Sequence, residues 1–295
     1  MTSTPSITAD NLTLRYSDAT ALDRVSFSLN GPGIHGLLGR NGSGKTSLLS
    51  ILSGLRRQDE GAVSLFGEPV FENRDAMSRC CIIREDGDMI ETSETIASAF
   101  AFEAAMRPFW NGDRALALLD AFELSPKKKL GALSRGQRSA VACTIGIAAR
   151  APITLFDESY LGMDAPSRYA FYDALLADYL DSPRLILLST HLIDEVAKLF
   201  EEVLIIHEGR LLLHDSAEAL RGRGLRVVGP VETVSGLVAG LTVLDQRDLG
   251  PTRSIAVDSP PPDLVTRAKA AGVGIEPVAI QDIFIQLTAR QKDKS

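Results

Sequence analysis

Apolar and polar residues alternate in short stretches at the start of the chain. Between Ile7 and Leu29 the positions Leu12, Leu14, Val25, Phe27 and Leu29 fall on every second residue, the period of strands with one buried face. Gly31-Pro32-Gly33 interrupts this pattern, residues 34–38 form a brief apolar run entering a glycine-rich loop, and helical sequence from Thr46 to Leu52 stops at Gly54. Three later apolar runs, 153–156, 185–188 and 203–206, do not alternate, as expected of parallel strands covered on both faces. Helical patterns at 168–180 and 192–200 lie between them. The fold class expected is α/β: a core with a mainly parallel sheet, preceded by an antiparallel β subdomain.

From about residue 95 to 150 the sequence turns Ala- and Leu-rich without strand runs, for example at 114–122 and 139–149. This predicts a helical subdomain, about 86–150, inserted into a first domain of residues 1–221. Arg221-Gly222-Arg223-Gly224 reads as a hinge. Beyond it, strand patterns at 225–228 and 254–257 and helical patterns at 232–238 and 263–271, the latter opened by Pro260-Pro261-Pro262, predict a small α+β appendage over 225–295.

Composition narrows the setting. The 295 residues are 45% hydrophobic and 23% charged, an ordinary globular mixture. No apolar run approaches the roughly 20 residues of a membrane-spanning helix, and the N-terminus lacks the pattern of a secretory signal; a cytoplasmic protein is expected. With 31 basic against 38 acidic residues the formal charge is −7, which argues against nucleic acid as a partner. Three cysteines, two of them adjacent (Cys80, Cys81), show no metal-ligand spacing and read as reduced, buried thiols.

Three motifs carry chemistry. Gly39-Arg40-Asn41-Gly42-Ser43-Gly44-Lys45-Thr46, followed by Ser47, fits G-x-x-x-x-G-K-[ST] between a strand and a helix. Its backbone N–H groups can close round phosphates at a helix N-terminus, with Lys45 neutralising the terminal phosphates and the Thr46 hydroxyl reaching Mg²⁺. The apolar run 153–156 ends in Asp157 and Glu158, at the strand end where ligands bind in such sheets; Asp157 can hold Mg²⁺ and Glu158 can polarise a water, or the pair is a solvated strand end. Leu133-Ser134-Arg135-Gly136-Gln137 precedes an Ala-rich helix. Ser134 and Gly136 are then either simply an N-cap or anion-binding groups for an ATP brought by a second molecule.

In this order, the phosphate loop, LSRGQ, the acidic strand end, Tyr160-Leu161-Gly162-Met163-Asp164 and Ser189-Thr190-His191 resemble the ABC ATPases, over about residues 7–220. The resemblance implies ATP and Mg²⁺ as ligands and ATP hydrolysis as the activity. It implies that Tyr16 stacks on adenine, although a tyrosine there could equally be core packing. Asp164 would connect two sites across a dimer, His191 would contact the γ-phosphate, and Gln137 would belong to the signature facing the partner's nucleotide.

It also implies a homodimer, or a heterodimer with another ABC ATPase, closing head to tail and driving a separate membrane permease, with the chain peripheral on the inner face of the cell membrane. The permease would dock along residues 84–107 and at Arg107-Pro108-Phe109-Trp110, although Trp110 also suits a subdomain core.

Two departures stand out. Where the family usually carries Gln at the junction with the helical subdomain, this chain offers Glu85, which adds charge and loses an N–H₂ donor; it would sit near Mg²⁺, or else is a surface acid. Ser159 replaces a common Pro. Residues 125–133 and 159–180 look most like the Ytr-type branch, linked to antibiotic and cell-envelope export. The competing readings are a soluble ABC ATPase acting on a macromolecular complex and a module that binds ATP without turnover.

Overall fold

The computed structural model describes residues 4–17, 19–84 and 93–292. By its contacts the chain divides into two compact units, the first comprising Met1–His191 with Leu204–Leu213 and the second Leu192–Val203 with His214–Ser295.

The alternating N-terminal stretch forms β1 (Ser6–Tyr16) and β2 (Ala19–Asn30), which pair antiparallel as expected. The apolar run before the phosphate loop is β3 (Gly33–Leu38), and α1 (Lys45–Leu52) follows the loop. The chain returns to the first sheet as β4 (Glu60–Leu65) and β5 (Glu68–Pro69), then runs through α2 (Arg74–Ser78) into β6 (Cys80–Arg84). The helical stretch is α3 (Ile96–Met106), α4 (Gly112–Ala121) and α5 (Arg135–Ala148), with one isolated bridge between Thr95 and Lys129. Next come β7 (Ile153–Asp157), α6 (Ala165–Asp181) and β8 (Leu185–Thr190).

The helix expected over 192–200 is a single α-turn, α7 (Ile193–Val196), tightened into a 3₁₀ turn at Ala197–Leu199. After β9 (Glu202–His207) and β10 (Arg210–Ser216), α8 (Ala217–Arg223) occupies the Arg/Gly segment read as a hinge: Arg221–Arg223 are its last turn and Gly224 begins β11 (Gly224–Pro230). A Ser216 N-cap, whose hydroxyl accepts from the Ala219 N–H, starts that helix, and basic residues suit its C-terminal end. The remainder is α9 (Val231–Leu237), β12 (Val243–Leu249), β13 (Thr252–Asp258), α10 (Leu264–Ala270), β14 (Gly274–Pro277) and α11 (Ile280–Lys292).

In the first unit the sheets run β2-β1-β4-β5 and β10-β9-β3-β8-β7-β6. Within the second of these, β3·β8, β7·β8 and β6·β7 are parallel. Every residue of β3, β7 and β8 is buried, which accounts for their unbroken apolar sequence. One core joins the two sheets: Leu12, Leu14 and Leu22 pack with Leu48 and Leu52 of α1 and with Leu155, Leu187 and Ile206. The phosphate loop is thereby fixed at both ends by buried elements.

A buried ion cluster joins α4 and α6 to the segments just after α5 and just before β8. The fully buried Asp178 lies 3.3 Å from Arg114 Nε, 2.7 Å from an Arg150 terminal nitrogen and 2.9 Å from Arg184 Nη1, and Arg150 also reaches Asp181.

In the second unit, β11-α9-β12-β13-α10-β14 forms an antiparallel sheet in the order β12-β13-β11-β14, the split β-α-β-β-α-β arrangement. Val227, Ile255 and Val257 pack there against Val234, Leu264 and Ala268.

Replacing Asp178 with Ala strands the buried Arg184 and frees two further guanidinium groups. It is expected to destabilise the first unit by about 3–5 kcal/mol, read as a fall in the denaturation midpoint; an unchanged midpoint would show that the cluster holds nothing together.

Candidate functional site

The loop 39–44 turns from β3 into α1 on unusual backbone angles. Gly44 caps the helix at φ 107°, a conformation side-chain-bearing residues avoid. A Cβ there would also lie 2.6 Å from the Ala21 carbonyl oxygen. Lys45 is 5% exposed. Its Nζ donates to the carbonyl oxygens of Gly39 at 2.8 Å and Arg40 at 3.1 Å and pairs with Glu158 Oε1 at 3.0 Å. The Ser43 Oγ is buried with no hydrogen-bond partner among the described residues, a position that suits an incoming anion, since an unsatisfied buried hydroxyl is costly.

The acidic strand end meets this loop. Glu158 is non-glycine yet sits at φ 49°, a sparsely populated conformation that strain concentrates at functional sites. Ser189 at the end of β8 braces it: its hydroxyl donates to Asp157 Oδ1 at 2.9 Å and accepts from the Glu158 N–H at 3.1 Å. Burial pushes the Asp157 carboxyl above the usual carboxylate range, against hydrogen bonds from Ser189 and Thr46 that pull it down. His191 Nδ1 stands 3.3 Å from Glu158 Oε1. Thus Lys45, Thr46, Asp157, Glu158 and His191, read from three separate motifs, converge on one end of the sheet.

Tyr16 lies beside the same helix. Its ring is 40% exposed, and its hydroxyl is 3.5 Å from Ser47 Oγ. The Arg56 guanidinium sits 4.1 Å from the ring centroid, a cation–π contact that no sequence motif announced. The ring is therefore no core residue.

The Ser134 segment forms a second cluster. Ser134 Oγ accepts from the Gln137 N–H at 3.2 Å while Gln137 Oε1 accepts from the Ser134 N–H at 3.2 Å, a reciprocal cap at the start of α5. Asp164 caps α6 through the Ser167 N–H at 3.0 Å, and the hydrogen bond from the Ser167 side chain, with that from its N–H, holds the carboxyl below the ordinary range. A Cβ on Gly136 would stand 2.7 Å from the Gly162 carbonyl oxygen, so only glycine lets these loops meet. Ser134, Gly136, Gln137, Gly162 and Asp164 line an open groove of about 600 Å³. Glu85 falls outside the described residues.

The ABC transporter family matches residues 22–160. The chain is 27% identical over 295 residues to a Nod factor export ATP-binding protein I of Burkholderia orbicola (strain AU 1054), spanning 95% of this chain and 96% of that one. Residues 22–160 carry an ABC-type ATPase domain. The ABC fold is also seen in a dimeric ATP-binding cassette with ADP and phosphate in a post-hydrolysis state, at a TM-score of 0.62 and 21% identity over 72% of this chain and 98% of that one. A phosphonates import ATP-binding protein PhnC 2 of Roseobacter denitrificans (strain ATCC 33942 / OCh 114) is 26% identical over 223 residues, covering 70% of this chain and 82% of that one. The ABC-type domain thus binds and hydrolyses ATP, and among the described residues no helix is long and apolar enough to cross a membrane.

Gly136→Ala is expected to push apart the loops at Gly136 and Gly162 and to destabilise the protein by about 1–3 kcal/mol, measured by chemical denaturation. A variant as stable as the wild type would mean that the loops separate freely.

Proposed function

We propose that the chain powers a membrane permease, and that its ATP is shared between two cassettes: one supplies Lys45 and the phosphate loop, the other Ser134 and Gly136. The observation that carries this reading is that one chain combines a phosphate loop with unmet hydrogen-bonding capacity and a capped helix start facing an open groove. The phosphate loop keeps an unpartnered buried hydroxyl at Ser43, and the Ser134 cap lines an open groove with Asp164.

ATP would enter with its base against the free face of Tyr16, opposite Arg56, and its phosphates over the loop. The γ-phosphate then replaces Glu158 as the counter-ion of Lys45. The released carboxylate turns to orient the attacking water, and His191 steadies the transferring phosphoryl group. The Thr46 hydroxyl and Asp157 would hold Mg²⁺, which would neutralise charge developing on the phosphates. The donors are hard oxygens, as that ion prefers. Closure buries Ser134 and the α5 N-terminus against the partner's γ-phosphate; loss of phosphate removes that bond and lets the pair open.

A docking place for the permease is supported by exposed apolar side chains on α3 and just after it. Phe102 is 63% exposed, Met106 66% and Phe109 46%, next to a small cavity of about 90 Å³ bordered by Met77, Cys80 and Arg107. Trp110 is instead half-buried, with its ring edge-on to Phe100 at 5.5 Å. Export is favoured over import by the extent of likeness: the Nod factor export relative matches 95% of this chain, the phosphonate import relative 70%.

The test is the mass of Glu158→Gln with and without Mg-free ATP. The amide keeps the shape of the carboxylate but cannot pair with Lys45 as a charge. The variant is expected to dimerise only with ATP and to release little phosphate; a variant that stays monomeric with saturating ATP would defeat the shared-site reading for two copies of this chain.

A further inference from the structure

The sheet of the second unit has two edges, and the sequence treats them differently. β14 is four residues long and ends at Pro277, a short proline-stopped edge that is a poor template for another strand. β12 has seven residues, Val243-Leu244-Asp245-Gln246-Arg247-Asp248-Leu249, without proline. It ends the strand order, and Gln246, Arg247, Asp248 and Leu249 are all exposed, Leu249 at 77%. Among the described residues, peptide groups on its outer side therefore have no sheet partner.

Edges are commonly defended by charged side chains, proline or bulges. On β12, Asp245 and Arg247 flank Gln246 with opposite charges, while the third charge, Asp248, is already paired with Arg253 of β13 at 2.6 Å. Asp245 is held in place by Arg226 at 3.3 Å, and Arg226 is itself anchored 2.8 Å from Asp282 of α11. Arg247, 66% exposed at its side chain, reaches Asp245 at 3.1 Å from the open edge.

β12 is regular from Asp245 to Leu249, its one register shift against β13 lying between Val243 and Asp245; a second copy laid antiparallel with Gln246 opposite Gln246 places Asp245 opposite Arg247 twice. Opposite charges directly across two strands stabilise and like charges destabilise. A two-fold axis perpendicular to the sheet keeps opposed side chains on one face only when it passes through a residue position. The neighbouring registers are thus centred on Asp245 or Arg247, and each opposes like charges. The sequence selects one register.

We propose that β12 is a self-pairing edge through which two copies of the full chain associate without nucleotide, joining two four-stranded sheets into one. This contact is separate from the ATP-dependent closure of the cassettes.

The test is sedimentation of the nucleotide-free full chain over a range of concentrations. The wild type is expected to dimerise. Arg247→Asp, which opposes aspartates twice, is expected to weaken dimerisation about tenfold, and the swap Asp245→Arg with Arg247→Asp to restore it. Because the swap also removes the Arg226 contact, amide exchange over 243–249 gives a second reading: it should slow with concentration in the wild type and not in Arg247→Asp. A monomeric wild type, or an Arg247→Asp chain that associates as the wild type does, overturns the proposal. ATP-induced dimerisation of Glu158→Gln that survives added Arg247→Asp shows that the variant is folded and that the two contacts are distinct.

Discussion

Lys45 and Glu158 lie 3.0 Å apart at the end of the parallel sheet, exposed by only 5% and 13% at their side chains. Opposite charges this far out of water need one another, because removing one partner leaves an uncompensated buried charge. Much of the first unit serves to hold them there. The cores of both sheets pin α1 beneath the phosphate loop, and Ser189 at the end of β8 clamps the backbone of Glu158 in its left-handed conformation. In the proposed mechanism a phosphate would replace Glu158 as the counter-ion of Lys45, leaving a carboxylate that already stands 3.3 Å from His191 Nδ1.

The elements closest to this pair were the most legible in the sequence. Strands buried on both faces, such as β7 and β8, are mostly apolar and end in polar residues at the site, and a phosphate loop between a strand and a helix has few physical alternatives, so Lys45, Asp157 and Glu158 could be placed before any coordinates. Ser134 was readable as a cap for a similar reason, since its hydroxyl and the Gln137 amide bond reciprocally within one turn. Arg56 was not readable: it reaches the Tyr16 ring only because β1 and β4 pair antiparallel. Nor was the role of Ser189, visible beside His191 in the sequence but given its purpose by Asp157 thirty-two positions earlier.

The second unit was harder for the same physical reason. β12 has four consecutive polar residues, Asp245–Asp248, and only Leu244 is buried, so it lacks the alternation by which strands announce themselves, and β14 is too short to show any period. The Arg221–Gly224 segment looked like a hinge because its composition is that of loops, yet its arginines suit the C-terminal end of α8. Capping and helix-dipole effects decided locally against composition. The likeness to the Nod factor export protein extends over both units, so the appendage travels with the cassette as one chain.

The central claim is that each ATP is held by the phosphate loop of one copy and Ser134 of another. Mixing two inactive variants tests it most directly. Lys45→Ala removes one half-site and Ser134→Arg the other, so a mixed dimer regains one complete site from two defective chains. Phosphate release should be near zero for either variant alone and should return when the two are combined. If the mixture stays as inactive as its components while both variants remain folded, Lys45 and Ser134 do not act on the same nucleotide across two copies, and the shared-site account fails.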